Sequence, residues 1–226
     1  MTKVEAMTPL SIFDMDRTIT RRGTWSPWLV FWAAREAPWR LVLLPLAALF
    51  GAAYLAKLVS RARLKELNQA LLMGDAAPCA RVEAVARAFA VQLMARGVFP
   101  AALERIAADR AEGRRIVLAT ASCAFYVRAI ADALGIADVV ATASVWDGDR
   151  LRARLDGPNC YGQAKRAMVE AWLAEHALTA APIRFFSDHV SDVPMFERAD
   201  EQVATTPSPK LRTVAQARGW PIVDWD

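Results

Sequence analysis

Leu10-Ser11-Ile12-Phe13-Asp14-Met15-Asp16-Arg17-Thr18 is the stretch on which the fold turns. A short apolar run bounded by polar residues suits a buried strand, and two carboxylates follow where that strand ends. Strand side chains alternate with period two, so Asp14 and Asp16 can leave on the same side of the sheet and meet one ligand together. Taken alone, the five residues Asp14 to Thr18 read equally well as a solvated turn, and the choice depends on what lies downstream.

Three further segments have the contexts that a phosphoryl-transfer site needs. Arg115-Ile116-Val117-Leu118-Ala119 reads as a strand ending at Thr120-Ala121-Ser122, where a hydroxyl and free amides suit a phosphate. Lys165, in Gly162-Gln163-Ala164-Lys165, opens an amphipathic helix through Val169, Trp172 and Leu173 and offers a cation for a phosphoryl group. Ile183-Arg184-Phe185-Phe186-Ser187 is another short strand, and it delivers Asp188 and Asp192 ahead of Pro194.

Set side by side, Asp14-x-Asp16-x-Thr18, Thr120, Lys165 and Asp188-x-x-x-Asp192 resemble the four motifs of the haloacid dehalogenase superfamily of phosphatases. The resemblance spans almost the whole chain. It implies an α/β fold, a Rossmann-like parallel sheet core with an inserted all-α cap.

The chemistry stands beside the resemblance. A phosphate monoester resists hydrolysis, so an enzyme must supply a nucleophile, a proton and charge neutralisation. Asp14 is the candidate nucleophile, forming an aspartyl-phosphate that divides one hard step into two easier ones. Asp16 is the candidate acid and base, protonating the leaving alkoxide and later taking a proton from water. Adjacent carboxylates repel a dianionic phosphate unless a hard cation lies between them, so a Mg²⁺ site is expected. The resemblance assigns that metal to Asp14, the backbone carbonyl of Asp16 and Asp188, with Asp192 ligating through water or orienting Lys165. It assigns the phosphoryl oxygens to Thr120 and Lys165. Each has a plainer alternative: Asp188 or Asp192 as a helix N-cap, Lys165 as a solvated side chain.

Two positions depart from the commonest family pattern. His189 stands where a small residue is frequent, either beside the metal's ligands or merely covering them. Arg17 stands where Gly or Asn is frequent. With Arg21 and Arg22 it forms a basic cluster suited to a second anionic group on the substrate, or else a solvated basic face.

The 226 residues accommodate one core domain plus an insertion, and an apolar content of 55% is ample for a buried interior. Residues 1–22 and 97–226 read as the catalytic core. In the second segment helices over 101–111 and 125–134 alternate with strands near 116, 140, 185 and 203. A hairpin turns at Asp147-Gly148-Asp149, and a helix over 211–217 and a strand at 222–223 close the chain. That alternation signals a parallel sheet, whose ligands gather beyond the strands' carboxyl ends.

Residues 23–96 read as the helical cap, with no clear strand. Ser26 reads as the N-cap of its first helix, with Pro27 at the first helical position. Residues 41–56 carry no charge and have no polar face, so this helix must be buried in something. At about 24 Å it falls short of a roughly 30 Å hydrocarbon core, and Pro45 is expected to bend it. Trp25, Trp28, Trp32 and Trp39 flank it. Between Arg35 and Glu66 six basic residues face two acidic ones, an excess equal to the chain's net charge of +4. Together these features suggest a cap that dips into an anionic membrane surface; the alternatives are burial inside the cap or in a dimer interface.

Met1 to Met7 is polar, so no secretory signal is expected there. Cys79, Cys123 and Cys160 form no C-x-x-C and are odd in number, which suits the cytoplasm. The pI of about 9.2 finds no nucleic-acid-binding motif to support it. The sequence thus describes a Mg²⁺-dependent phosphomonoester hydrolase, and the apolar cap points to a lipid or amphiphilic phosphate at the cytoplasmic membrane face. Superfamily members that resemble phosphatidylglycerophosphate phosphatases would act there. The alternatives are a soluble phosphatase for a small metabolite such as phosphoserine and a membrane-associated binding protein without turnover.

Overall fold

Residues 8–225 are described by a computed structural model; Met1 to Met7, expected above to hold no secretory signal, lie outside the described residues. The chain opens with β1 (Leu10–Phe13) and continues through α1 (Trp25–Glu36), a 3-10 stretch (Pro38–Leu43), α2 (Leu44–Leu55), α3 (Arg61–Leu72), β2 (Ala76–Pro78), α4 (Cys79–Arg96) and α5 (Pro100–Ala111). Next come β3 (Arg115–Cys123), α6 (Ala124–Ala133), β4 (Asp138–Thr142), β5 (Ser144–Asp147) and β6 (Arg150–Leu155). The last elements are α7 (Gln163–Glu175), β7 (Ile183–Ser187), α8 (Val193–Phe196), β8 (Glu201–Thr205), α9 (Pro209–Arg218) and β9 (Ile222–Val223).

Six strands form one parallel sheet in the order β4-β3-β1-β7-β8-β9. β1 lies near the middle with every residue buried, which is why it reads as a continuous apolar run rather than an alternation. From β1 the sheet grows toward β3 and β4 on one side and toward β7, β8 and β9 on the other. The order therefore reverses at β1, and a crevice opens beyond its carboxyl end. Two apolar clusters, one built around Val85, Tyr126 and Ile130 and one around Val169, Phe185 and Phe196, fill the interior.

Several expectations need correction. The segment between the first motif and Gly97 contains a strand, because β2 pairs antiparallel with β6 in a second sheet of order β2-β6-β5. Three residues ending in proline are too short to show a period of two. The first helix starts earlier than expected: Thr24 is its N-cap, and Ser26 and Pro27 lie inside the first turn. Pro45 does not bend a helix but opens α2, after the 3-10 stretch, where its missing N–H costs nothing. β3 runs through Thr120 to Cys123 with a register shift, beyond the end expected at Ala119.

The tryptophans divide as well. Trp28 and Trp32 are buried, Trp28 against Phe89 and stacked on Tyr126 at 5.0 Å, and Trp32 against Trp28. They pack the interior and do not form a rim around α2. Trp39, by contrast, is exposed. No residue of α2 is buried, with Leu49 62% and Leu55 80% accessible, so the described residues do not cover this helix.

Candidate active site

The turn after β1 is made by one carbonyl. The backbone oxygen of Met15 accepts from the amides of Thr18, Ile19 and Thr20 and from the Thr20 hydroxyl. Asp14 is still held in the sheet, its amide donating to Phe186 at 2.9 Å. Arg17 takes up the change of direction at φ 63°, a left-handed conformation that suits Gly or Asn better than a long side chain.

Lys165 reaches this turn from α7. Gly162 enters that helix at φ 59°, which a side chain would resist, and the Lys165 side chain points inward, 2% exposed. Its ammonium donates to Asp14 Oδ1 at 2.8 Å and to Asp192 Oδ2 at 2.7 Å. Asp192 Oδ2 also accepts from the Ser187 hydroxyl at 2.7 Å, and Asp192 caps no helix through its side chain. The capping role falls instead to His189, whose Nδ1 accepts from the Ser191 amide.

Asp14 and Asp192 thus share a single ammonium, with Asp188 close enough for its charge to act on Asp14. Burial pushes Asp14 up to about 7, with Asp192 and Asp188 adding to the rise and Lys165 opposing it. Burial and Asp192 likewise raise Asp188 to about 7 against the pull of Lys165 and Arg17. Burial alone would lower Lys165, but Asp14 and Asp192 outweigh it and hold the ammonium above its ordinary range. The cluster as a whole is short of positive charge, and Asp192 Oδ1 is buried without a partner among the described residues. A hard divalent cation fits that surplus of oxygen donors.

Asp16 sits apart from this cluster. Its Oδ1 accepts from the Thr24 amide and its Oδ2 from the Ser122 hydroxyl, both at 2.7 Å. Thr120 is buried at the same strand end, its hydroxyl accepting from the Ser122 amide at 3.1 Å and keeping its hydrogen free to donate.

These groups open into a cavity of about 400 Å³ that Asp14, Asp16, Arg17, Thr120, Lys165, Asp188, His189 and Asp192 all line. The arginine cluster is split. Arg17 lines the cavity, whereas Arg21 lies over the Phe99 ring and Arg22 faces solvent, because the Met15 turn sends successive side chains apart.

Other wall residues escaped the sequence reading. Tyr54, Arg61 and Lys65 come from α2 and α3, and Tyr161 comes from the loop before α7. Arg61 stacks on Tyr161 at 4.2 Å. Lys65 is 5% exposed and donates to the Ala121 carbonyl and to Asn159 Oδ1. Burial lowers its pKa. Their spacing held a signal, since Arg61 and Lys65 are one helical turn apart behind the N-cap Ser60.

The chain belongs to the haloacid dehalogenase-like hydrolase family, whose model matches residues 12–197. Among solved structures, a protein of unknown function from Bordetella pertussis Tohama I superposes with a TM-score of 0.87 at 26% identity, over 96% of this chain and 99% of that one. A probable phosphatase of Mycobacterium tuberculosis (strain ATCC 25618 / H37Rv) is 30% identical over 128 residues, 57% of this chain and 44% of the relative. A phosphoserine phosphatase of the same strain is 29% identical over 113 residues, 50% of this chain and 37% of the relative. The chain thus spans less than half the length of these two relatives.

Proposed function

We propose that this protein hydrolyses a small soluble phosphomonoester through an aspartyl-phosphate on Asp14. The observation that carries the proposal is the placement of Asp14 against Lys165 at the carboxyl end of the central strand, with Thr120 and Asp16 in the same cavity. Asp14 attacks phosphorus, and Lys165 and Thr120 hold the phosphoryl oxygens where charge builds up. Asp16 gives a proton to the leaving oxygen and recovers one from the hydrolytic water. Asp14, Asp188 and the Asp16 carbonyl would hold Mg²⁺, with Asp192 oriented on Lys165. When bound, the cation neutralises the phosphate dianion.

The chemistry of the wall supports a choice of substrate class. Away from the strand ends the described lining offers Arg17, Arg61, Lys65 and His189 and no further carboxylate. Such a wall suits a second anionic group and gives an ammonium no carboxylate partner of its own. A phosphate ester bearing a carboxylate but no amine should therefore be preferred over phosphoserine.

A second reading rests on a different observation. Pro38–Leu55 is an 18-residue apolar stretch with a mean hydropathy of 1.5 and no buried residue, and its far end supplies Tyr54 to the cavity. Arg40 lies within it, and Arg35, Lys57, Arg61 and Arg63 flank it. An anionic lipid surface would match both the apolar face and the charge, and would bring an amphiphilic phosphate to the cavity mouth. A second copy of this chain would set like charges against one another.

Phosphate release from purified protein tests both readings, with Mg²⁺ or EDTA. The substrates are 3-phosphoglycerate and phosphoserine in solution and phosphatidylglycerophosphate in vesicles. Mg²⁺-dependent release, fastest from 3-phosphoglycerate, is expected. Release from the vesicles alone would favour the membrane reading, and phosphoserine as the best substrate would refute the reading of the wall.

A further inference from the structure

Asp16 is the end point of a chain of hydroxyls that runs back into the apolar interior. Ser122 Oγ lies 2.7 Å from Asp16 Oδ2, Thr24 Oγ1 lies 3.3 Å from Ser122 Oγ, and the Tyr126 hydroxyl lies 3.0 Å from Thr24 Oγ1. Ser122, Thr24 and Tyr126 are all buried.

The direction of the chain follows from counting hydrogens. Once Asp16 has given its proton to the leaving oxygen its carboxylate only accepts, so the single hydroxyl hydrogen of Ser122 then goes to Asp16. Thr24 must then donate to Ser122, and with its one hydrogen spent it must accept from Tyr126. All three O–H groups therefore point toward Asp16. Burial raises the Tyr126 phenol well above its ordinary range, so it remains a donor.

The far end of the chain is rigid. The Tyr126 ring is stacked on Trp28 at 5.0 Å with 6° between planes, and Phe89 meets it edge-on. Tyr126 belongs to α6 and Trp28 to α1, while Thr24, whose amide holds the other Asp16 oxygen at 2.7 Å, is the residue that enters α1. Both carboxylate oxygens are thereby tied to the packing of α1 on α6.

We infer that Ser122, Thr24 and Tyr126 are positioning residues that aim Asp16 at the leaving oxygen, and that the seating of α1 on α6 sets that aim. The inference rests on the proposed function, in which Asp16 protonates the leaving group. None of the three hydroxyls needs to touch substrate. A dipole aligned before reaction spares the reorganisation that water would require.

Leaving-group dependence tests this. Departure of 4-nitrophenolate needs little protonation, whereas phenolate from phenyl phosphate needs more, and kcat/KM reports only the steps through that departure. Tyr126→Phe, Ser122→Ala and Thr24→Val each break the chain, and Thr24→Ser keeps it. In the broken variants we expect kcat/KM for phenyl phosphate to fall by about tenfold or more, within the range general acids supply. For 4-nitrophenyl phosphate it should change by less than about threefold, because that departure leans little on the acid. Thr24→Ser should match the parent on both substrates.

Tyr126→Phe keeps the ring stack and guards against a variant that fails to fold. Equal losses on both substrates, or no loss on either, would overturn the inference. Parent protein that releases phosphate neither from these esters nor from 3-phosphoglycerate would instead refute the proposed function, and the inference with it.

Discussion

The Lys165 ammonium meets the Asp14 carboxylate at 2.8 Å across 151 positions of sequence, joining the start of α7 to the end of β1. It is the buried cation that Asp14 and Asp192 share. Lys165→Met should therefore cost both activity and stability. The charges left unpaired make the protein less stable by about 3 kcal/mol at pH 8. Because Asp14 and Asp188 take up protons on acidification, the loss should shrink at pH 5. Urea denaturation of parent and variant at the two pH values checks this, and an equal loss at both would mean that the carboxylates do not drive it.

The same cluster links metal, proton and fold. In the metal-free protein Asp14 and Asp188 hold protons up to about pH 7, well above the ordinary carboxylate value of 3.8. Between those values the folded chain binds more protons than the unfolded one, so these two groups lower stability as pH rises from about 4 to 7. Mg²⁺ must displace those protons at low pH and meets free carboxylates at high pH. Thermal melts should show a larger Mg²⁺-induced shift at pH 8 than at pH 5.5. A shift independent of pH, or one lost in Asp192→Asn but kept in Asp188→Asn, would contradict the ligand assignment.

What the sequence disclosed of this site was what one strand end or helix start displays locally. Asp14, Asp16, Thr120, Lys165 and Asp188 each stand directly after an apolar run or within a first helical turn, and all line one cavity. The parallel sheet was legible for the same reason, since β1 and β7 are short, largely buried and mostly apolar. What stayed hidden depends on distant partners. Nothing local marks Ser122 as a donor to Asp16, because the two lie 106 positions apart, and Thr24 meets Ser122 and Tyr126 across 98 and 102. The exposure of α2 was hidden too, since a helix apolar on every side looks the same in sequence whether protein, lipid or a second copy covers it. Trp28 and Trp32 misled because a ring that packs on Phe89 and one that meets a membrane carry the same letter.

The far end of the sheet offers a control. Asp109 is fully buried and pairs with Arg105 and with Arg184 at 2.6 Å, and Arg184 also bonds Glu112 and Glu201. These residues cluster around the start of β7, away from the strand ends that carry the candidate site. Asp109→Ala removes the buried carboxylate that Arg105 and Arg184 share, while Glu112 and Glu201 still pair with them, and should cost about 2 kcal/mol. Turnover per folded molecule should not change. Chemical denaturation beside an activity assay tests this, and a selective fall in kcat would show that the network reaches the site.

Arg17 permits a prediction that separates backbone from side chain. At φ 63° its backbone lies where Gly rests without penalty and any residue with a Cβ is strained. Its guanidinium also lines the cavity and faces Asp188, whose carboxylate it pulls downward. Arg17→Ala and Arg17→Gly both remove the cation, but only the glycine variant relieves the turn. The two should therefore share the same raised KM for an anionic substrate. The glycine variant should be more stable than the alanine variant by about 1 kcal/mol, the strain of a left-handed residue less the entropy glycine gives up on folding. Parallel melts and Michaelis curves decide it. If alanine proves as stable as glycine, the turn is not strained as described, and if KM stays at the parent value in both, Arg17 does not read the substrate.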